Sequence, residues 1–270
     1  MLYTLGVLFV CASTVLGGAD LVIDKERLAE SLSTDTIRSD DPCLVDEGCL
    51  SGPSVNALMD DDLEAGPPVR KLIRFTTAIW NVGDEDLEVG AVPTSRDEPH
   101  APWWEYAECH GHWHLVGLAK HDVLLPNGKE CVKGFEDVGI LHSGSPAPGT
   151  ETSKTGFCMR DNVCVGKSKP QFDCEHQGIS AGCADVYGAE LPCQWVDVTD
   201  LAPGKYILRV TANYDRRLVE SNYTNNVAEV EFNTEDLRQF ISPVNAITVG
   251  VALLSSACVY ALLRLLCSRT

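Results

Sequence analysis

Positive charge is what the sequence has least of: 21 Lys and Arg stand against 39 Asp and Glu, a formal net charge of −18 over 270 residues. That excludes a nucleic-acid partner, whose phosphates demand a basic face. An acidic surface serves plain solubility, and it also steers cationic partners inward, so lysine-rich or arginine-rich proteins suit it. Acidic runs such as Asp60, Asp61, Asp62 and Asp84, Glu85, Asp86 read as solvated turns. Helical periodicity is scarce. No Cys-x-x-Cys pair occurs, which removes a zinc ribbon, and no His-Glu-x-x-His occurs, which removes the metalloprotease helix. A zinc hydrolase would still need a general-base carboxylate beside its ligands, and Glu108 is the nearest in sequence. Repeats and low-complexity blocks are missing too, so residues 20–239 read as one domain.

What is present begins with Cys109-His110-Gly111-His112-Trp113-His114. An extended strand points alternate side chains to one face, so His110, His112 and His114 are expected to converge. Neutral imidazole suits zinc, copper, iron and nickel, and a three-ligand shell leaves positions open for water, oxygen or substrate. The pattern is that of a catalytic metal rather than a structural one.

The two ends speak for a secretory route. Residues 1–19 are apolar and finish in small residues, as a signal peptide does. Residues 241–263 carry no charge, and Arg264 and Arg269 follow, so a single transmembrane helix with a short cytoplasmic tail at 264–270 is expected. A cleaved lipid-anchor signal is the competing account, but those two arginines interrupt what should be a plain hydrophobic tail; the protein would be secreted if the tail is removed. Nine cysteines lie between the ends: Cys43, Cys49, Cys109, Cys131, Cys158, Cys164, Cys174, Cys183 and Cys193. In an oxidising compartment most pair, one is left over, and spacing alone leaves the connectivity open. Residues 71–80, 205–211 and 226–232 show the alternation of half-buried strands, while 135–155 and 166–192 read as long loops. We therefore expect a mainly β fold, a β-sandwich core with long disulfide-stapled loops that carry the site, plus the C-terminal transmembrane helix.

The histidine run, His121 beyond it, Lys154-Thr155-Gly156-Phe157-Cys158, the stretch from Cys183 through Tyr187-Gly188 to Cys193-Gln194-Trp195, Pro203-Gly204-Lys205-Tyr206 and Glu220-Ser221-Asn222-Tyr223-Thr224-Asn225-Asn226 occur together in this order. The combination resembles the catalytic domain of lysyl oxidases, and the resemblance extends from Asp20 through Phe232. It implies a copper amine oxidase that turns the ε-amine of peptidyl lysine into an aldehyde, releasing ammonia and hydrogen peroxide. Extracellular proteins such as collagen or elastin-like chains would be its substrates. Copper would sit on His110, His112 and His114. The organic cofactor, lysine tyrosylquinone, would form from Lys154 and Tyr187, which requires ring, metal and amine to come close.

A base must remove the α-proton of the substrate amine, and His121 is the candidate, with Asp185 as rival. A strand running regularly through Gly117 would turn His121 away from the ligands, so a bulge or bend is needed. The resemblance also implies calcium on Asp20, the carbonyl of Leu21, Glu220, Asn222, Asn225 and Asn226, oxygen ligands suited to a hard cation. Asn222 stands where aspartate is usual, and it creates the glycosylation triplet Asn222-Tyr223-Thr224. The implied disulfides are Cys43 with Cys109, Cys49 with Cys193, Cys158 with Cys174, and Cys164 with Cys183, leaving Cys131. The region before Lys154 is longer than usual and reads Thr152-Ser153 in place of Gly-His. A catalytically silent copper-binding or adhesion module with the same fold is the alternative function.

Overall fold

The computed structural model describes residues 17–38, 41, 43, 44, 49, 69–95, 97–129, 131–133, 156–199 and 201–240. Most of the expected signal peptide, the 135–155 loop, Lys154, the apolar segment 241–263 and the tail 264–270 lie outside these residues. Among the described residues no helix is long and apolar enough to cross a membrane.

The chain is mainly β. In order it forms β1 (Leu21–Ile23), α1 (Lys25–Ser31), β2 (Ser33–Arg38), β3 (Val69–Arg74), β4 (Thr77–Asn81) and β5 (Leu87–Ala91). A 3-10 turn at Ala101–Trp103 leads into β6 (Trp104–Ala107), β7 (His112–Leu115), β8 (Ala119–Leu124), β9 (Cys131–Lys133) and β10 (Val163–Cys164). The last strands are β11 (His176–Ile179), β12 (Cys183–Tyr187), β13 (Trp195–Asp197), β14 (Lys205–Ala212) and β15 (Val227–Asn233). They assemble into five small antiparallel sheets: β1-β4-β12-β10, β15-β14-β8-β9, β13-β3-β2, and the ribbons β11-β5 and β6-β7.

The alternation expected at 205–211 and 226–232 appears as β14 and β15, where polar Glu229 and Glu231 alternate with buried Ala228, Val230 and Phe232. Their buried face joins one hydrophobic cluster with Leu21 and Ile23 of β1, Leu28 of α1, Ile79 of β4 and Val123 of β8, so the two four-stranded sheets share a core. Helix α1 is short and capped by Asp24, whose side chain accepts from Arg27 N at 3.0 Å. Its one buried residue, Leu28, is what holds it to that core.

Two expectations about elements are corrected. Residues 71–80 are not one strand but the end of β3 and most of β4, which enter different sheets. The break falls at Phe75 and Thr76: Phe75 is fully buried, and the Thr76 amide is taken by Ser31 Oγ at 2.7 Å. Residues 166–192 are not wholly loop, because β11 and β12 lie within them. Strand β12 lacks the β-branched alternation of a half-buried strand, being buried at Cys183, Ala184 and Asp185 in turn and held between β4 and β10.

All four disulfides implied by the resemblance are formed: Cys43–Cys109, Cys49–Cys193, Cys158–Cys174 and Cys164–Cys183. Cys164 and Cys183 are direct partners across β10 and β12, which places the staple four residues, two repeats of the pleat, from Tyr187. Cys131, in β9, stands outside these pairs.

Candidate metal centre

The three histidines converge, though not all by strand alternation. His112 and His114 lie two apart on β7 and share a face, as period-two geometry requires. His110 precedes the strand, in a turn closed by hydrogen bonds from the His110 and Gly111 amides to Ala107 O at 3.0 and 2.8 Å. Gly111 makes that turn with φ +68°, a left-handed conformation that favours glycine. The Cys43–Cys109 bond anchors the turn from outside.

Ring centroids lie 5.6, 5.2 and 4.9 Å apart for His110–His112, His110–His114 and His112–His114. One ligating nitrogen from each lies within 4.8 Å of the others, and the Nε2 atoms of His112 and His114 are 3.1 Å apart. Two imidazole nitrogens each about 2.0 Å from a shared ion sit roughly 3 Å apart, so the donor set fits a divalent transition metal. His114 is 5% exposed whereas His110 is exposed, which leaves the cluster open to solvent on one side.

The segment after Lys154 runs beside this centre. Leu115 and Phe157 exchange backbone hydrogen bonds at 2.8 and 3.2 Å, and a Cβ on Gly156 would meet His114 Cβ at 3.4 Å. Phe157 in turn packs its ring 4.4 Å from the ring of Tyr187, centroid to centroid. The chain at 156–157 therefore passes between His114 and Tyr187. Gln177, fully buried, ties the same region together by accepting from Met159 N at 2.8 Å and donating to Trp113 O at 2.9 Å.

Tyr187 ends β12, opposite Thr77 of β4. Its hydroxyl contacts both Cys158 O, at 2.9 Å, and Asp185 Oδ2. A phenol has one proton and these are two acceptors, so full hydrogen bonding at both demands a second proton, held on the Asp185 carboxyl. Asp185 is 0% exposed and also accepts from Arg160 N and Asn162 Nδ2, both at 3.2 Å. Burial raises its pKa to about 8, against the lowering effect of its hydrogen bonds from Tyr187 and Arg160. Burial, then the adjacent Asp185 charge, holds the Tyr187 phenol well above its usual range. Asn162, which clamps Asp185 and receives Val186 N at 2.8 Å, carried no signal in the sequence.

The bend needed for His121 is present: β7 stops at Leu115, Gly117 turns with φ +84°, and β8 joins another sheet. His121 is 2% exposed; its Nε2 lies 3.3 Å from Thr77 Oγ1, and its ring meets Phe75 at 5.0 Å and Phe157 at 6.4 Å. Gln194 donates to the same Thr77 oxygen at 2.9 Å. These contacts lead toward Tyr187.

Burial lowers the His121 pKa to about 4 from an ordinary 6.5. The unfolded chain takes up this proton near 6.5 and the folded one only near 4. The associated stability is complete above about pH 6.5 and drains by up to roughly 3 kcal/mol as pH falls toward 4. Asp185 acts with the opposite sign over much of that range, so the quantity to measure is the difference in denaturant midpoint between the wild type and His121→Asn. That difference should shift in favour of the variant between pH 7 and pH 4.5. An invariant difference would mean that His121 protonates alike in both states.

At the other proposed metal site, Glu220 is buried and accepts from Leu21 N and Asn226 Nδ2, both at 2.7 Å, and from Asn213 Nδ2. Burial raises its pKa. Asn225 Nδ2 donates to Asp20 Oδ1 at 2.9 Å. The side-chain oxygens of Asn225 and Asn226 are buried without a hydrogen-bond partner among the described residues. Unsatisfied buried oxygens beside two carboxylates fit a hard cation. Asn222 differs: its Oδ1 is engaged by Thr224, from Oγ1 at 2.7 Å and N at 3.0 Å.

Fold and site together define a disulfide-stapled, mainly β domain with an open three-histidine cluster and, across the 156–157 segment, a half-buried tyrosine. The chain belongs to the lysyl oxidase family, whose profile matches residues 19–243. It is 32% identical to lysyl oxidase homolog 3 of Homo sapiens over 188 residues, which is 68% of this chain and 21% of that protein. Lysyl oxidase homolog 2 of Bos taurus is 31% identical over 219 residues, 77% of this chain and 23% of the relative. Lysyl oxidase homolog 2A of Danio rerio is 32% identical over 200 residues, 73% and 23% respectively. The chain thus spans about a fifth of the length of these relatives.

Proposed function

We propose that this chain is a copper-dependent amine oxidase of the protein-lysine 6-oxidase type, converting peptidyl lysine to its aldehyde with release of ammonia and hydrogen peroxide. The observation that carries the reading is the passage of the 156–157 segment between His114 and Tyr187. Gly156 is two residues from Lys154, a chain length of at most about 7 Å. Bound copper, oxygen and the quinone built from Lys154 and Tyr187 supply the electron-accepting chemistry that ordinary side chains lack.

The chain's own residues do the rest. His110, His112 and His114 hold the metal, and the exposed side of the cluster admits oxygen. Phe157 fixes the Tyr187 ring, while Asp185 holds its oxygen and keeps a proton at Oδ2. His121, a neutral imidazole above about pH 4, is oriented by Thr77 and accepts the substrate proton. Of the six residues implied for calcium, Asp20, Leu21 O, Glu220, Asn225 and Asn226 would hold it and Asn222, whose Oδ1 is engaged by Thr224, is set aside; the role would be structural, pinning the amino-terminal strand to the 220–226 loop. Net negative charge draws lysine-rich extracellular proteins of the collagen or elastin kind, and the four disulfides suit the secretory pathway. The apolar segment 241–263 would tether the domain to the outer face of a membrane.

The test is mass spectrometry of the domain secreted from copper-supplied cells. A peptide linking Lys154 to Tyr187 is expected. Both residues found unmodified in copper-loaded, oxygen-exposed protein would sink the reading in favour of a silent copper-binding module.

A further inference from the structure

We propose that Asn222 carries an N-linked oligosaccharide, presented outward from the loop whose inward face is formed by Glu220, Asn225 and Asn226. Asn222-Tyr223-Thr224 is the only Asn-x-Ser/Thr triplet in the sequence. Four disulfides place the chain's folding in an oxidising compartment, where such triplets are modified.

Local geometry suits the modification. Asn222 is half-exposed, on the connection between β14 and β15. The Thr224 hydroxyl and amide both donate to Asn222 Oδ1, which fixes the orientation of the side-chain amide and leaves Nδ2 with no hydrogen bond among the described residues. That nitrogen is the atom to be modified. The residue between them is braced: Tyr223 Oη accepts from Glu220 N at 3.0 Å and donates to Leu218 O at 3.1 Å, with the Arg216 guanidinium 5.6 Å from its ring. Tyr223 thus pins the centre of the triplet to the loop while Asn222 stays at the surface. Its neighbours are turned the other way: Asn225 binds Asp20 and Asn226 binds Glu220, with their oxygens buried. One loop therefore separates a solvent-facing asparagine from two inward-facing ones.

The transfer balances without any oxidant. Nδ2 of Asn222 attacks the anomeric carbon of a lipid-pyrophosphate-linked oligosaccharide; the C–N bond forms, the C–O bond to the pyrophosphate breaks, and one amide proton is lost. The donor and the transferase belong to the secretory pathway.

The experiment uses the protein secreted from a glycosylating eukaryotic cell. Digestion and mass spectrometry should find hexosamine on the Asn222 peptide, and peptide N-glycosidase in heavy-oxygen water should convert Asn222 to labelled aspartate. Thr224→Ala should abolish the glycan and Thr224→Ser should retain it. Unmodified Asn222 in the wild-type protein overturns the proposal.

The outward orientation has its own readout, which rests on the calcium reading above. The glycosidase leaves a carboxylate at 222, so calorimetric calcium affinity before and after treatment asks whether that side chain faces the cation. A change below about twofold supports the outward assignment, because ligand charge strongly tunes such sites. A tenfold or greater gain, about 1.4 kcal/mol, overturns it. Absence of calcium binding in both samples would defeat the calcium reading alone, and the mass spectrum would still decide the glycan.

Discussion

Tyr187→Phe is expected to load copper as the wild type does and to oxidise no amine above background, a loss of roughly 10³-fold or more, on the scale seen when an essential catalytic group is removed. The substitution is conservative where packing is concerned. The ring sits 4.4 Å from Phe157, and phenylalanine keeps that contact. What disappears is the hydroxyl, with its hydrogen bond to Cys158 O and its contact with Asp185, at a stability cost of about 1–3 kcal/mol. The four disulfides and the shared core make that tolerable. The three histidines are placed by β7 and the turn at Gly111, so metal content by atomic spectroscopy should stay at one copper per chain while peroxide release vanishes. Lys154→Ala should behave alike. His112→Ala should instead lose both, because the metal is needed to build the cofactor. Full activity in Tyr187→Phe would leave the proposed mechanism without its electron acceptor.

The histidine cluster was legible from the spacing of its three members, but only two of them owe their position to a strand. His110 arrives through a turn at Gly111, whose φ of +68° a hydropathy pattern does not reveal. Strands β14 and β15 were legible because one face meets solvent and the other a core, which writes an alternation into the residues. Strand β12 was not, since its buried positions hold Cys183, Ala184 and Asp185 in succession and its polar group is satisfied by Asn162, Arg160 and Tyr187 rather than by water. A buried aspartate in a Gly- and Cys-rich stretch reads locally as loop. The link from His121 to Tyr187 runs through Thr77 on a third strand, a long-range pairing that no local window contains. The disulfide connectivity came from the family resemblance; spacing alone left it open.

Asp185→Asn provides the second large effect, and it asks whether Asp185 and Tyr187 together hold the extra proton that the Tyr187 contacts require. If the carboxyl is neutral in the folded protein, asparagine is its near-isostere: an oxygen can still accept from Asn162 and an N–H can still face the Tyr187 oxygen, with only the 3.2 Å bond from Arg160 N lost. The sign of the pH effect follows from linkage. An acid whose folded pKa is raised to about 8, against about 4 when unfolded, binds more protons in the native state across that interval. Its stabilising contribution is complete below about pH 4 and drains as pH rises toward 8. His121 is common to both proteins and cancels in the comparison. The denaturant midpoint of the wild type relative to Asp185→Asn should therefore fall steadily from pH 5 to pH 8 and level off above. A flat difference would mean that Asp185 ionises in the fold as it does in water, leaving the Tyr187 proton divided between two acceptors. Asp185→Ala separates charge from geometry: it also removes the ionisable group, but it deprives the Tyr187 oxygen of its partner. The Lys154–Tyr187 cross-link should therefore form more slowly in the alanine variant than in the asparagine one. Equal rates would deny Asp185 any part in positioning the ring.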